Sequence, residues 1–284
     1  MLLLLGFGCP LAASDESSDW LRVMTFNVRY ASPTPPNAWP DRRELLRDCI
    51  QAAAPDVIGT QEGVYSQLKD ISADLPEYEW IGLGRNGGSR GEFMAVFYRR
   101  DRLEPLAFDH FWLSDTPALM GSITWGPQFP RMVTWVHFRD RATGREFYFW
   151  NTHFDHEVQP AREKSASLIR QRLAELADSR PILLVGDFNV PAQANPVYAA
   201  LVEDGFLRDT WALARERRNE GYGTFNGFGE NPQGGARIDW ILVRGEVEVA
   251  ETEIVTFQRD GKYPSDHYPV VARLRWTSPP EPSR

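Results

Sequence analysis

Asp187 and Asn189 stand two residues apart at the end of the segment Pro181 to Asn189, PILLVGDFN, behind four apolar residues and a glycine. The apolar run Ile182 to Val185 has the length and composition of a fully buried strand. In an extended chain, side chains two apart point the same way, so a carboxylate and an amide would converge on one volume. The plain alternative is a strand followed by an Asx turn, and the rest of the chain weighs against leaving it there. Tyr263 to Val271, YPSDHYPVV, sets Asp266 and His267 directly before another apolar strand. Asn27 lies near the end of LRVMTFNVRY, Glu62 ends DVIGTQE, His153 ends EFYFWNTH, and Asp239 falls in the first half of RIDWILV. Each of these has an ordinary explanation as a solvated strand end, but a buried Asp in an apolar strand needs a partner. Together they form a set of carboxylates and amides with few imidazoles, which suits a hard cation such as Mg²⁺ or Mn²⁺ and not a structural zinc site. Such a cation commonly works by neutralising phosphoryl oxygens.

The elements that must position these residues follow from hydrophobic period. Alternation over 21–30 and apolar runs elsewhere predict strands over 21–30, 56–62, 78–83, 93–99, 108–113, 132–139, 146–153, 182–185, 237–243, 249–257 and 270–276. Helices are expected over 41–54, with Asp41 and Glu44 as a capping box, over 161–177, with Leu168, Ile169, Leu173 and Leu176 on one face, and after Asn195-Pro196. Ala142-Thr143-Gly144 supplies a hairpin turn, and the Gly- and Asn-rich stretch 217–236 is a loop long enough to carry function. Strands outnumber helices and include hairpins, so the sheets should be mixed with helices on their outer faces. No repeat or linker divides residues 20 to 277, which reads as one domain ahead of a loose Pro-rich tail at 278–284.

The chain has 284 residues, 42% of them hydrophobic, and a formal net charge of −8. That balance argues against affinity built on a broad basic face for nucleic acid, while carboxylates are what a cation site requires. Residues 1–13, MLLLLGFGCPLAA, are too short to span a bilayer and are placed like the apolar core of a signal peptide, which predicts a secreted or periplasmic protein, or alternatively one lipidated at Cys9. Cys49 then has no intrachain partner and reads as core.

TFNVR, IGTQE, NTHF, GDFN, RIDW and SDHYPV stand in the order found in the endonuclease/exonuclease/phosphatase superfamily, which the chain resembles over about residues 21 to 276. That superfamily includes pancreatic-type deoxyribonuclease, abasic-site endonucleases, inositol polyphosphate 5-phosphatases, sphingomyelinases and deadenylases. The resemblance implies an α/β fold, a four-layer α/β sandwich of two mixed β-sheets face to face with helices on the outside, and metal-dependent hydrolysis of a phosphoester. It makes Glu62 the main metal ligand, assisted by Asn27 and Asp266. Asp187 would orient or deprotonate the attacking water, and Asn189 would hold a phosphate oxygen or a second metal. His267 would contact the scissile phosphate with Asp239 fixing its tautomer. His153 would stabilise phosphoryl charge, with Glu92 as its orienting carboxylate. Arg29 and Arg131 fall where the family often places phosphate-contacting arginines, and Asp155 and His156, beside His153, either touch the substrate or a second metal or make surface hydrogen bonds.

Such a resemblance fixes the bond and not the group that carries it. The acidic chain, and a loop TFNGF without the aromatic that abasic-site enzymes place beside their nucleotide, favour a small phosphorylated metabolite or lipid headgroup over DNA. The alternatives are a secreted nuclease acting on DNA or RNA, and a catalytically silent binding module. A monomer without stable membrane insertion is expected; Trp112, Trp125 and Trp135 read equally as core or as the rim of the cleft, and Trp39 as core, with the pocket entrance as the alternative.

Overall fold

The computed structural model describes residues 19–176, 179–230 and 233–277; the expected leader and the tail beyond 277 lie outside the described residues. β1 (Leu21–Asn27) leads through α1 (Trp39–Ala53) to β2 (Val57–Gln61) and the two-residue β3 (Gly63–Val64). α2 (Tyr65–Asp74), β4 (Tyr78–Ile81), the two-residue β5 (Glu92–Phe93) and β6 (Val96–Arg99) follow. β7 (Leu103–Trp112), β8 (Met132–Asp140) and β9 (Glu146–His153) form a meander, and α3 (Gln159–Glu175) crosses to β10 (Ile182–Asp187). Next come α4 (Pro196–Val202), β11 (Arg208–Asp209), α5 (Thr210–Leu213) and β12 (Glu216–Arg218). β13 (Asp239–Arg244), β14 (Val247–Ile254) and β15 (Val270–Trp276) complete the chain.

One sheet has the order β12-β14-β15-β1-β2-β6-β4 and the other β11-β13-β10-β9-β8-β7. Both are mixed, because β1 is parallel to β2 and antiparallel to β15, while β10 is parallel to β9 and antiparallel to β13. Alternation then sorts every strand into two faces. Val23 of β1 and Leu183 and Val185 of β10 meet in the core between the sheets. Met24 and Phe26 turn the other way, onto Leu46, Cys49 and Ile50 of α1 and Leu68 and Ile71 of α2. Ile182 and Leu184 likewise turn outward onto Ile169 and Leu173 of α3 and Val197 and Leu201 of α4. The result is helix, sheet, sheet, helix, with each buried aliphatic side chain contributing about 1.5–3 kcal/mol.

A polar bridge ties the sheets together inside this apolar core. Asn151 of β9 donates to the carbonyls of Thr60 and Ala95 at 2.8 and 2.9 Å, and accepts at Oδ1 from Gln61 Nε2 at 2.7 Å. Gly59 makes room for it, since a Cβ there would lie 2.8 Å from the Asn151 amide and 2.4 Å from a Val185 methyl. Buried hydrogen bonds of this kind fix how the two sheets sit on one another, although Gln61 Oε1 finds no partner among the described residues.

Three expectations are corrected at their boundaries. α1 starts at Trp39 with Pro40 in its first turn and Ala38 as its N-cap, so the Asp41 and Glu44 capping box is absent; the buried Trp39 ring, whose Nε1 donates to Asp70, and the fixed φ of Pro40 bring the start forward. α3 starts at Gln159, and its buried face is Ala161, Ser165, Ala166, Ile169 and Leu173, with Leu168 and Leu176 only partly buried at its edge. Asp239 is the first residue of its strand, not an interior one. Cys49 is core as expected, and burial pushes its thiol up to about 12. Because the thiolate is the reactive form, an alkylating reagent at pH 8 should leave Cys49 unmodified in the native protein and modify it after denaturation, as read by peptide mass mapping. Rapid labelling of the native protein would contradict this packing. Among the described residues no helix is long and apolar enough to cross a membrane.

Candidate active site

The alternation that builds the core also gathers the polar strand ends. Positions 23, 25 and 27 of β1, 149, 151 and 153 of β9, 183, 185 and 187 of β10, and 239, 241 and 243 of β13 share the face between the sheets. His153, Asp187 and Asp239 are direct cross-strand neighbours, in register across β9, β10 and β13. Asn27 closes β1 on the facing sheet, and its Nδ2 donates across the gap to Asp187 Oδ2 at 3.0 Å and to Glu62 Oε1 at 3.0 Å. Gly186 allows this crowding, because a Cβ there would lie 2.2 Å from the Thr152 carbonyl oxygen.

The remaining site residues are aimed by turns, not by strands. Arg29, Glu62 and Asn189 all have positive φ, at 51°, 65° and 54°, a strained conformation for residues with a side chain, held where the surroundings impose it. Asp187 and Asn189 therefore converge differently from the extended geometry expected of them. Asn189 N–H donates to Asp187 Oδ1 at 2.9 Å, an Asx turn, and the turn itself swings the Asn189 amide onto His153 Nε2 at 2.9 Å. The turn and the site are one structure.

The charges in this cleft set one another's protonation. Burial, with the neighbouring charge of Asp239, pushes the Asp187 carboxyl up to about 7. Burial alone would lower His267, but Asp239 and Asp187 overcome it and raise the imidazole to about 10. His267 Nδ1–H donates to Asp239 Oδ2 at 3.0 Å, and its Nε2 lies 3.8 Å from Asp187 Oδ2. His153 behaves oppositely, since burial, together with the charge of Arg131, holds it well below the usual range and neutral. With Asn189 donating to Nε2, its proton sits on Nδ1, which has no partner among the described residues. Burial raises Asp266, and Glu62 adds to the rise against the pull of His267.

A cationic wall faces these carboxylates across a cavity of about 960 Å³. Here one expectation is overturned: Glu92 does not orient His153. Its two oxygens grip Arg85 at 2.7 and 3.0 Å, a bidentate pairing that an imidazole cannot match. Arg131 lines the cavity, with Nε 3.4 Å from Asp155 and Nη2 donating to His156 Nδ1 at 2.9 Å. Its Nη1 and the Nε of Arg85 are buried without partners among the described residues. Asp155 also accepts the N–H groups of Glu157 and Val158 ahead of α3, a structural role, while His156 reaches the cavity. Trp39, Trp112 and Trp125 do not line the cavity.

Sequence reading missed four contributors. Arg42 is buried and donates to the carbonyls of Val28, Arg29, Tyr30, Asn37 and Pro264, fastening the turn after β1 to the loop that carries Asp266 and His267. Ser265 Oγ donates to the Asn27 carbonyl at 2.6 Å. Arg85 and Phe225 line the cavity, and Phe225, in the loop thought to lack an aromatic, packs edge-on against His267 at 5.2 Å. Only Arg42 left a trace, as a charged residue among the apolar positions of α1.

The oxygens present fit a hard divalent cation. Glu62 and Asp266 face a common position that the Arg29 guanidinium spans, at 3.5 and 3.6 Å, so the gap accepts positive charge. Asn27 Oδ1 takes the Arg29 N–H in this arrangement. Asp187, Asp239 and His267 offer ligand atoms all within 4.8 Å of one another, but His267 Nδ1–H is hydrogen-bonded to Asp239 Oδ2, which commits those two groups to each other.

A sequence model of the Endonuclease/Exonuclease/phosphatase family matches residues 24–267. A solved endonuclease/exonuclease/phosphatase family protein from Bacteroides thetaiotaomicron is 36% identical, covering 90% of this chain and 95% of its own, with a TM-score of 0.86. A mannosyl-6-phosphatase from the same organism is 36% identical over 90% of this chain and 100% of its own, with a TM-score of 0.85. The human nocturnin catalytic domain, 17% identical over 91% of this chain and 94% of its own at a TM-score of 0.71, shares the fold. Uncharacterized protein L388 of Acanthamoeba polyphaga mimivirus is 32% identical over 161 residues, which are 53% of this chain and 59% of that protein, so the match spans less than two thirds of its length.

Proposed function

The chain belongs to the endonuclease/exonuclease/phosphatase family, a family of phosphoester hydrolases that use divalent metals, and on that premise we propose that it is a Mg²⁺- or Mn²⁺-dependent phosphatase of a small sugar phosphate. The observation that carries this reading is the division of one cleft into a carboxylate wall, Glu62, Asp187 and Asp266, and a cationic wall, Arg85 and Arg131. The first wall suits a cation and the second the oxygens of a terminal phosphate. The 36% identity to a mannosyl-6-phosphatase supports the sugar, and the charge of −8 supports a small substrate over a polyanion.

Glu62 and Asp266, with Asp187 and Asn27 beside them, would hold the cation, which when bound neutralises charge on the phosphoryl group. Asp187, pushed up to about 7, suits the task of taking the proton from the attacking water near neutral pH. His267, kept protonated, presents Nε2–H to a phosphoryl oxygen, and Asp239 fixes the ring from behind. His153 and the Asn189 amide that donates to its Nε2 line the same cleft, and the buried Nδ1–H lies away from the phosphate. Because these donors are already in place, no reorganisation is needed as charge develops.

Purified protein assayed with p-nitrophenyl phosphate, bis-p-nitrophenyl phosphate and plasmid DNA tests the reading. The expected result is metal-dependent turnover of the monoester, silence in EDTA, and intact plasmid. Glu62→Gln should lower turnover about a hundredfold or more at saturating Mg²⁺. Full activity in EDTA would defeat the metal assignment, and nicked plasmid would replace the sugar phosphate by a nucleic acid.

A further inference from the structure

We propose that three aromatic rings at the mouth of the cleft, Tyr30, Phe129 and Phe225, form a subsite for the ring of a singly phosphorylated hexose. The proposal rests on the phosphatase reading and specifies what carries the phosphate. Among the described residues five aromatic side chains are exposed, Tyr30, Tyr65, Phe108, Phe129 and Phe225, and three of the five line this one cavity. Single exposed rings are ordinary, but convergence from three separate loops onto one concave site is the pattern of a binding surface. At about 960 Å³ the cavity sits near the top of the roughly 300–1,000 Å³ range of ligand pockets, so a phosphoryl group fills only a part of it.

Each ring is backed by a group of the phosphate site. The Arg29 guanidinium lies 4.5 Å over Tyr30, the Arg85 guanidinium lies 4.6 Å over Phe129, and Phe225 meets the His267 imidazole at 5.2 Å. The remaining surface of each ring stays open, with exposures of 39% for Tyr30, 38% for Phe129 and 44% for Phe225. A group attached to a phosphate held between these cations would therefore lie against aromatic carbon. A pyranose meets that requirement with its C–H faces, and the Gln233 side chain among the lining residues offers amide groups for its hydroxyls.

Charge limits the carrier to one phosphate. Every arginine lining the cleft already faces a carboxylate: Arg29 faces Glu62 and Asp266, Arg85 faces Glu92, and Arg131 faces Asp155. A second phosphate on the substrate would find no surplus cation here and would repel the acidic wall. If the rings do no more than support the arginines, their loss weakens every phosphate alike, and the test separates the two roles.

Steady-state kcat and KM are measured with mannose 6-phosphate, glycerol 3-phosphate, fructose 1,6-bisphosphate and adenosine 5′-monophosphate at saturating Mg²⁺, for the wild type, Phe129→Ala, Phe225→Leu and Phe129→Trp. Wild-type kcat/KM should favour mannose 6-phosphate over acyclic glycerol 3-phosphate by about tenfold, the worth of one good ring contact. Phe129→Ala and Phe225→Leu should collapse that ratio through KM, and Phe129→Trp should restore it. An unchanged ratio with both substrates equally weakened would overturn the subsite in favour of arginine support. Preference for the bisphosphate or the nucleotide would overturn the hexose. If no phosphate is turned over with any divalent metal, the phosphatase reading fails by itself, and calorimetric titration with the same compounds decides the subsite: about tenfold tighter binding of mannose 6-phosphate than of glycerol 3-phosphate, lost in Phe129→Ala, sustains it, and equal or absent binding ends it.

Discussion

Asp187→Asn should slow turnover about a thousandfold with the fold intact, the largest loss expected from any single atom-for-atom exchange in the cleft. The exchange keeps the shape of the side chain and one oxygen, so the Asx turn to the Asn189 N–H can persist. What disappears is the basic oxygen at the centre of the site, the atom that faces Asn27 Nδ2 at 3.0 Å, His153 Nε2 at 3.5 Å and His267 Nε2 at 3.8 Å. An amide cannot accept the water proton, so the loss should fall on kcat and leave KM within a few-fold. A second readout does not depend on turnover. Asp187 is, after Asp239, one of the three carboxylates that raise His267 to about 10, so the imidazole of the variant should titrate lower, while the Asp239 hydrogen bond keeps it above an ordinary histidine. Histidine ¹⁵N NMR of metal-free protein follows this directly. Near-normal kcat in a metal-replete assay would remove Asp187 from the base role, and an unmoved His267 titration would mean that the two groups do not face each other as described.

The sequence made the strand ends legible because alternation is a local property. Met24 against Thr25, or Leu184 against Val185, can be assigned to faces without knowing what lies opposite, and the parity that buries Val185 also commits Asp187 to the inner face. The six short polar motifs then mark the open end of the sandwich, and the resemblance they carry supplies the architecture that the family match and the solved relatives bear out. What stayed hidden depends on contacts between distant segments or on single backbone angles. Nothing local distinguishes Glu92 as a partner for Arg85 from Glu92 as a partner for His153; the choice is made by where the loop 84–91 folds back. An extended chain is the local expectation for Asn189, but a positive φ turns it, and that φ is stabilised by a side chain two residues earlier. Asn151 and Gln61 stood inside recognised motifs, yet their work is to join the sheets, which becomes visible only when both sheets are present.

Arg42 is the extreme case, and Arg42→Met tests how much of the site rests on it. The guanidinium is buried and spends its donors on five backbone carbonyls, at 2.7 Å to Val28, 2.6 Å to Arg29, 2.9 Å to Tyr30, 3.2 Å to Asn37 and 2.8 Å to Pro264. Trp39 and Phe228 flank it, at 5.3 and 5.8 Å from its central carbon. Burial lowers it to about 10, which still leaves it charged at neutral pH. Methionine fills much of the volume but satisfies none of the carbonyls, and stranding several buried acceptors should cost about 3 kcal/mol or more. For a chain of this size that is a fall in Tm of roughly 5–10 °C. Activity should fall as well, by about tenfold, because the carbonyls it gathers belong to the turn holding Arg29 and to the loop preceding Asp266 and His267. Arg42→Lys separates the two contributions: it restores a positive charge behind Asp266 and Glu62 but cannot reach five acceptors from one ammonium. If charge alone matters, the lysine variant recovers turnover and Tm together; if the clamp matters, both stay close to the methionine variant. A methionine variant that melts and turns over like the wild type would show that the two loops hold their places without Arg42, and the positioning role assigned to it would be withdrawn.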